Sequence, residues 1–276
     1  MDLLEAIGLC VHSSMGKSFS VILACVALAS VALFLSHQWM PAPAAQHGPI
    51  LDHELHWTLL DAGLIFLIAQ FALLTLVWKF RARPEQRTKS FHAGVPVAIL
   101  VAVVFIGVEL FSAATLGKRA WAGMYDDSTP ASVQVEAMGQ QFAYYFRYPG
   151  ADGKFGPVHI DKIDASIGNY FGLDRARDRD SEDDVVSSEL VLPQNRPVDL
   201  LLTAQDVIHS FYVRELRVQQ DMVPGMRIPV HLTPTKNGRY EIVCTQLCGL
   251  GHYRMRAFVR VVPENEFESW MRAHGK

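Results

Sequence analysis

The sequence predicts a chain in two parts. Membrane-spanning α-helices come first, a hairpin of two or, with an N-terminal apolar block, three. An all-β sandwich of antiparallel Greek-key type follows. Three observations carry this. Apolar residues make up 50% of the 276 and charged residues 19%, below the roughly 25% usual in soluble domains, and mean hydropathy is +0.15. The apolar character is concentrated before Gly117. From about Ser132 the pattern becomes short alternating runs rich in Val, Ile, Tyr and Phe, separated by Pro or Gly. The same composition excludes other classes. A net charge of −3 excludes a strongly basic nucleic-acid binder. Four Cys are too few for a disulfide scaffold in a chain this long. No solenoid or propeller period is present, and the chain is neither disordered nor collagen-like in composition.

Three apolar blocks occupy 19–36, 57–78 and 93–116, each close to the roughly 20 residues a spanning helix needs. The second and third form the hairpin, within 46–120. The first, within the leader 1–45, fits two readings. Lys17 before it and Pro41, Ala42, Pro43, Ala44 and Ala45 after it suit a cleavable signal sequence as well as a third helix. Ile22-Leu23-Ala24-Cys25 is a poor lipoprotein cleavage site, because the apolar run continues past Cys25. Lys79, Arg81, Arg83, Arg87 and Lys89 follow the second block, and no Lys or Arg lies between His37 and His56. The positive-inside rule therefore puts the 79–89 loop in the cytoplasm and everything after Lys118 outside. Trp39, Trp57, Trp78 and Trp121 fall near the expected boundaries, as interfacial aromatics should. Asp61 and Glu109 lie in these helices, where a carboxyl is costly and needs a partner or a wet cavity. For Asp61 the expectation is a packing contact; for Glu109 a packing contact and a proton path both stand.

The exported part, 121–276, has expected strands at 132–138, 197–204, 227–234, 239–245 and 256–262. A short amphipathic helix closes it at about 264–271, with Pro263, Glu264 and Glu266 suiting its first turn. An insertion at about 150–188 breaks the strand spacing. It carries Asp174, Asp178, Asp180, Glu182, Asp183 and Asp184 interleaved with Arg175, Arg177 and Arg179. The expectation is a solvated, mobile loop; the functional alternative is a docking surface for a basic partner.

The chemistry is concentrated in Cys244-Thr-Gln-Leu-Cys248-Gly-Leu-Gly-His252-Tyr-Arg-Met255, with His209 upstream in the run DVIHSFYV. Thiolates with imidazole and thioether select copper over hard cations. Zinc makes no use of Met, and structural zinc loops favour closer Cys pairs. One Cys, one His and one Met would make a mononuclear copper site. Two thiolates and two imidazoles can hold two coppers, each sulfur bridging both. The competing reading is a disulfide, which leaves His209, His252 and Met255 unexplained and strains a short loop. Cys10 and Cys25 read as small apolar residues, and His53 and His56 carry little weight as ligands.

These residues resemble cytochrome c oxidase subunit II, over most of the chain: a membrane hairpin followed by a cupredoxin-like domain. The Cys-x3-Cys-x3-His-x2-Met spacing with an upstream Asp-Val-x-His-Ser is specific to domains carrying the dinuclear CuA centre. The resemblance implies that Cys244 and Cys248 bridge both coppers. His209 and Met255 complete one, and His252 with the Gln246 carbonyl completes the other. It implies an electron-transfer subunit in a bacterial cytoplasmic membrane. Its copper domain lies on the periplasmic side and takes electrons from a separate c-type cytochrome. It passes them to haem in subunit I, where oxygen is reduced and protons are pumped; the other oxidase subunits and the bilayer are its remaining partners.

The chain departs from the family pattern at three places. Gln246 stands where Glu, a magnesium ligand, is common, which makes magnesium doubtful. The family's Gly-His-Gln-Trp-Tyr-Trp is here Gly139-Gln140-Gln141-Phe142-Ala143-Tyr144, so an aromatic electron route would run through Phe142, Tyr144 and Tyr145. The acidic insertion is longer than a minimal domain needs. Asp221, in Gln-Gln-Asp-Met-Val-Pro-Gly, matches a family carboxylate near the subunit I interface, with a structural role equally open. No Cys-x-x-Cys-His occurs, so no c-type haem is fused to the chain. A CuA subunit of a nitric oxide reductase and a membrane-anchored copper carrier are the alternatives. The intact ligand set argues against a copper-free quinol-oxidase subunit, and the membrane hairpin argues against nitrous oxide reductase.

Overall fold

In the computed structural model the described residues are 3–36, 40–79, 94–125 and 132–275. Trp39 and the basic residues Arg81, Arg83, Arg87 and Lys89 lie outside them. The chain divides into two compact units, residues 1–41 with 53–115, and 42–52 with 116–276. The second takes in a strap, 42–52, that the sequence reading divided between leader and hairpin.

Among the described residues the first unit holds α1 (Leu3–Leu35), α2 (Gly48–Lys79) from residue 53 on, and α3 (Gly94–Ser112). Their stretches Ser18–Leu35, Gly48–Lys79 and Gly94–Thr115 are long and apolar enough to cross a membrane. The first apolar block is thus helical and not confined to its apolar core. Ser112 Oγ donates to Glu54 Oε1 across α2 and α3 at 3.0 Å. Asp61 Oδ2 and Glu109 Oε1 are buried without a hydrogen-bond partner among the described residues.

In the second unit α4 (Lys118–Tyr125) precedes ten strands. These are β1 (Val133–Gln140), β2 (Ala143–Tyr148), β3 (Val185–Ser187), β4 (Leu190–Pro193), β5 (Val198–Ala204), β6 (His209–Val213), β7 (Val218–Met222), β8 (Ile228–Leu232), β9 (Gly238–Val243) and β10 (Arg256–Val262). A short helix α5 (Arg179–Glu182) sits before β3, and α6 (Glu264–His274) ends the chain. The strands form two five-stranded sheets, β3-β2-β1-β5-β8 and β4-β10-β9-β6-β7. All five expected strands and the closing helix are present. The sheets are not wholly antiparallel, however: β1 runs parallel to β5, and β4 parallel to β10. Parallel neighbours need long crossovers, and their pairing is not legible from alternation within one strand.

The core between the sheets is built from alternate residues. Tyr144, Phe146 and Tyr148 on β2 point inward with Val135 and Ala137 on β1, Leu200 and Leu202 on β5, and Val259 and Val261 on β10; all are buried. The strap closes one end. Ala44 N donates to Glu215 O at 2.7 Å and Thr235 N to Ala44 O at 2.7 Å. Arg217 grips Asp52 through Nε at 2.7 Å and Nη2 at 3.1 Å.

The insertion departs from expectation. It is packed, not merely solvated. Phe171 and Leu173 bury themselves with Met138 in a second small core, flanked by Tyr145, Tyr170 and Val186. Asp184, read as part of a solvated acidic run, is 2% exposed. Its carboxylate is paired with Arg147, which also lies 3.5 Å from Glu136. Burial pushes the Asp184 carboxyl up, with Arg147 acting against it. Arg175 Nη1 and Nη2 donate to the carbonyls of Glu182 and Asp184 at 2.8 and 2.7 Å. The charges were misread because the partner of Asp184 lies on β2, far away in sequence. Removing one member of a buried pair strands the other charge. Asp184→Ala is therefore expected to destabilise the β unit by about 3–5 kcal/mol. Urea unfolding followed by tryptophan fluorescence checks this, and an unchanged midpoint would refute the anchoring role.

Candidate metal centre

The centre is assembled from the start of β6 and the loop joining β9 to β10. His209 is the first residue of β6 and is completely buried. Cys244 directly follows β9, and its N–H donates to Met255 O at 3.3 Å, extending the ladder past the strand end. The loop then turns back through His252 N to Gly249 O at 3.1 Å and Met255 N to His252 O at 3.1 Å, and β10 begins at Arg256. Strand pairing thus brings the two ends of the twelve-residue motif together.

Ligand atoms of His209, Cys244 and Cys248 lie within 4.8 Å of one another, and all three residues are buried. The thiols are free and 3.8 Å apart. His252 Nδ1 and Met255 Sδ each lie 3.7 Å from Cys248 Sγ. The Gln246 carbonyl lies 3.1 Å from Cys244 Sγ. The six residues expected as ligands are therefore gathered at one place. Whether they fit copper is decided by His209. Its Nε2 is hydrogen-bonded to Asp206 Oδ1 at 2.8 Å, while its Nδ1 is buried with no partner. A buried imidazole nitrogen without a partner is costly, and the His209 ring is grouped with the two thiols, one of which has Met255 Sδ 3.7 Å away. That donor set fits copper.

Magnesium is a different matter. It demands hard oxygen ligands, usually one or two carboxylates. Gln246 offers an amide, and its Nε2 donates to Asp221 Oδ2 at 2.8 Å. The residues present do not fit that ion.

Asp206 was not singled out from the sequence, although it stands in the same DVIHS run as His209. Its Oδ2 accepts from Gln141 N at 2.8 Å and its Oδ1 from Val207 N at 2.7 Å. Burial raises its carboxyl, but the bonds from His209, Gln141 and Val207 outweigh this and hold it below the ordinary carboxylate range. An ionised Asp206 fixes the His209 proton on Nε2 and leaves Nδ1 for the metal.

The β1–β2 turn buttresses the loop. Gln141 Nε2 donates to Cys248 O at 2.5 Å. The Phe142 ring lies against the loop glycines, so that a Cβ on Gly251 would come within 2.4 Å of it. A Cβ on Gly139 would sit 3.0 Å from the His209 ring, which explains a glycine there. Of the three aromatics expected to conduct electrons, Phe142 touches the loop and Tyr144 is buried, donating to Ser210 O at 2.6 Å. Burial, then the neighbouring Cys244 and Cys248, push the Tyr144 phenol far above its ordinary range. Tyr145 does not join them. Strand alternation turns it to the opposite face of β2, where it stacks on Tyr170 at 3.6 Å.

Residues 133–262 match the family model described as "Cytochrome C oxidase subunit II, periplasmic domain". The chain is 33% identical over 255 residues to an alternative cytochrome c oxidase subunit 2 of Bradyrhizobium diazoefficiens, covering 91% of this chain and 90% of that one. It is 25% identical over 264 residues to cytochrome c oxidase subunit 2 of Thermostichus vulcanus, covering 86% and 78%. Among solved structures, the periplasmic domain of subunit II of the Bradyrhizobium japonicum cytochrome oxidase is similar at 28% identity and TM-score 0.39, over 53% of this chain and 95% of that one.

Two outcomes are expected. Asp206→Ala releases the His209 ring and should weaken copper binding roughly 10- to 100-fold, measured by competition with a copper chelator; an unchanged affinity would show that Asp206 does not orient the ring. Burial, then Cys244, push the Cys248 thiol up to about 11. Without metal the Cys248 thiol therefore keeps its proton at neutral pH, and metal must displace it. Apparent copper affinity should rise with pH between about 6 and 8. Titration calorimetry in buffers of different ionisation enthalpy reports the released protons, and a buffer-independent heat would contradict a protonated site.

Proposed function

This chain belongs to the cytochrome c oxidase subunit II family, and on that premise we propose that it is the electron-entry subunit of a haem-copper oxidase. In this reading Cys244, Cys248, His209, His252, Met255 and the Gln246 carbonyl would together hold a pair of coppers. The observation that carries the reading is the buried His209 Nδ1, left without a hydrogen bond beside two free thiols. The copper pair, when bound, supplies a centre that takes up and releases one electron at a time, from a c-type cytochrome to haem in subunit I. Oxygen reduction and proton pumping belong to subunit I.

The chain's own residues hold and shield that centre. Cys244, Cys248 and Met255 are buried, which excludes water from the sulfurs. The β-sandwich fixes both loop ends, so the ligands need move little between oxidation states. Phe142, half exposed and packed on the loop, is the aromatic best placed for electron entry; the buried Tyr144 backs the site from behind. Around the site Leu247, Leu250 and Tyr253 project into solvent, at 84%, 97% and 77% exposure. Such an apolar rim suits a transient protein partner. The three apolar helices anchor the subunit, with the β unit on the periplasmic side of a bacterial cytoplasmic membrane.

The test is electron paramagnetic resonance of the intact copper-loaded oxidase together with a copper count. The expected spectrum has hyperfine splitting shared over two equivalent copper nuclei. Splitting from a single nucleus would point to a mononuclear or carrier site and overturn the proposal. Because Met is a weak ligand, Met255→Leu should keep both coppers and shift their midpoint potential. Loss of all copper in that variant would count against the ligand assignment.

A further inference from the structure

We infer that Asp221 and the Gln246 side chain form a positioning pair that works without a cation. The pair aims the Gln246 carbonyl at the thiols and closes the place where a magnesium would otherwise sit. The inference rests on the copper reading above and deepens it.

The turn between the two thiols is held from both sides by side chains. On one side Gln141 Nε2 reaches the Cys248 carbonyl. On the other, two consecutive loop residues are tied to the β6–β7 hairpin. Thr245 Oγ1 donates to Ser210 Oγ at 2.8 Å, and Gln246 Nε2 donates to Asp221 Oδ2 at 2.8 Å. Ser210 and Asp221 face each other in the β6–β7 register, one residue along from the His209–Met222 pair. The hairpin that supplies the histidine therefore also sets the turn that carries the carbonyl. With its side chain tied down, Gln246 presents its carbonyl 3.1 Å from Cys244 Sγ. A free side chain at that position would leave the peptide able to rotate the carbonyl away.

The chemistry of the pair works against a divalent cation. Asp221 already receives an N–H from the amide, and that N–H end points at the carboxylate. A magnesium bound to the same oxygen would meet the positive end of the amide dipole. A carboxylate at position 246 would reverse this, placing two like charges together and inviting a hard cation between them.

The experiment uses the intact copper-loaded oxidase, with Mn(II) as the probe for a magnesium site. The wild type is expected to retain no stoichiometric Mn(II) signal after desalting, whereas Gln246→Glu should bind Mn(II) at least tenfold more tightly. Stoichiometric Mn(II) ligated through this chain in the wild type would overturn the inference. The positioning role is read from Gln246→Met, close in shape but with no amide, and from Asp221→Ala. Each should change the copper hyperfine pattern and midpoint potential, read per bound copper. The double variant should change them no further than either single one, because the two residues act through one bond. Hyperfine and potential unchanged in both single variants would overturn the inference. A wild-type spectrum from a single copper would instead defeat the dinuclear reading, and the Mn(II) result distinguishes that failure from this one.

Discussion

A buried imidazole nitrogen with nothing to bond to, facing two buried thiols, is the constraint around which the second unit is organised. Desolvating such donors is unfavourable unless a metal repays it. The surrounding structure holds them in place and leaves His209 Nδ1 without a partner. Asp206 occupies the other ring nitrogen of His209. Gln141 occupies the Cys248 carbonyl. Gly139 and Gly251 make room for the His209 and Phe142 rings. Each contact removes an alternative that would let the site collapse on itself. Preorganisation of this kind suits electron transfer, since ligands that cannot relax add little reorganisation.

Much of this was legible in the sequence, and the reason is spacing. The motif 244–255 lies within one loop, so its donors had to be neighbours whatever the rest of the chain did. The strands were legible because both sheets present one face to a common core, which imposes alternation on 197–204 and 256–262 alike. The limits came where partners are distant along the chain. Parallel pairing of β1 with β5 cannot be read from either strand alone. Asp184 counted as one more solvated acid because Arg147, its partner, lies before the insertion begins. Resemblance to the family's aromatic stretch put Tyr145 with Tyr144, although neighbours on a strand face opposite ways. That rule was available in advance and would have separated them.

The insertion is instructive for charge-rich segments generally. Its acids include both exposed groups such as Asp164, held low by hydrogen bonds from Ser166, and buried ones such as Asp184. Composition treats them alike. What separates them is whether a guanidinium can be buried alongside, and Arg147 can because Phe155 and Phe171 cover its face at 5.1 and 5.9 Å. An apolar lid over a planar cation makes a buried ion pair tolerable where a bare one would not be.

The β6–β7 hairpin joins these themes. At one end it carries His209, Ser210 and Asp221, which supply or position the donors. At the other, its turn is clamped by the strap, through Ala44 on Glu215 and Asp52 on Arg217. That strap continues without a break into the apolar helix α2. The same hairpin therefore carries the metal donors at one end and holds the start of the apolar α2 at the other. A hairpin pinned at both ends has little freedom to slide, and sliding by one residue would turn His209 out of the core. Register of this hairpin, more than the strength of any single bond, is what keeps the imidazole facing the thiols.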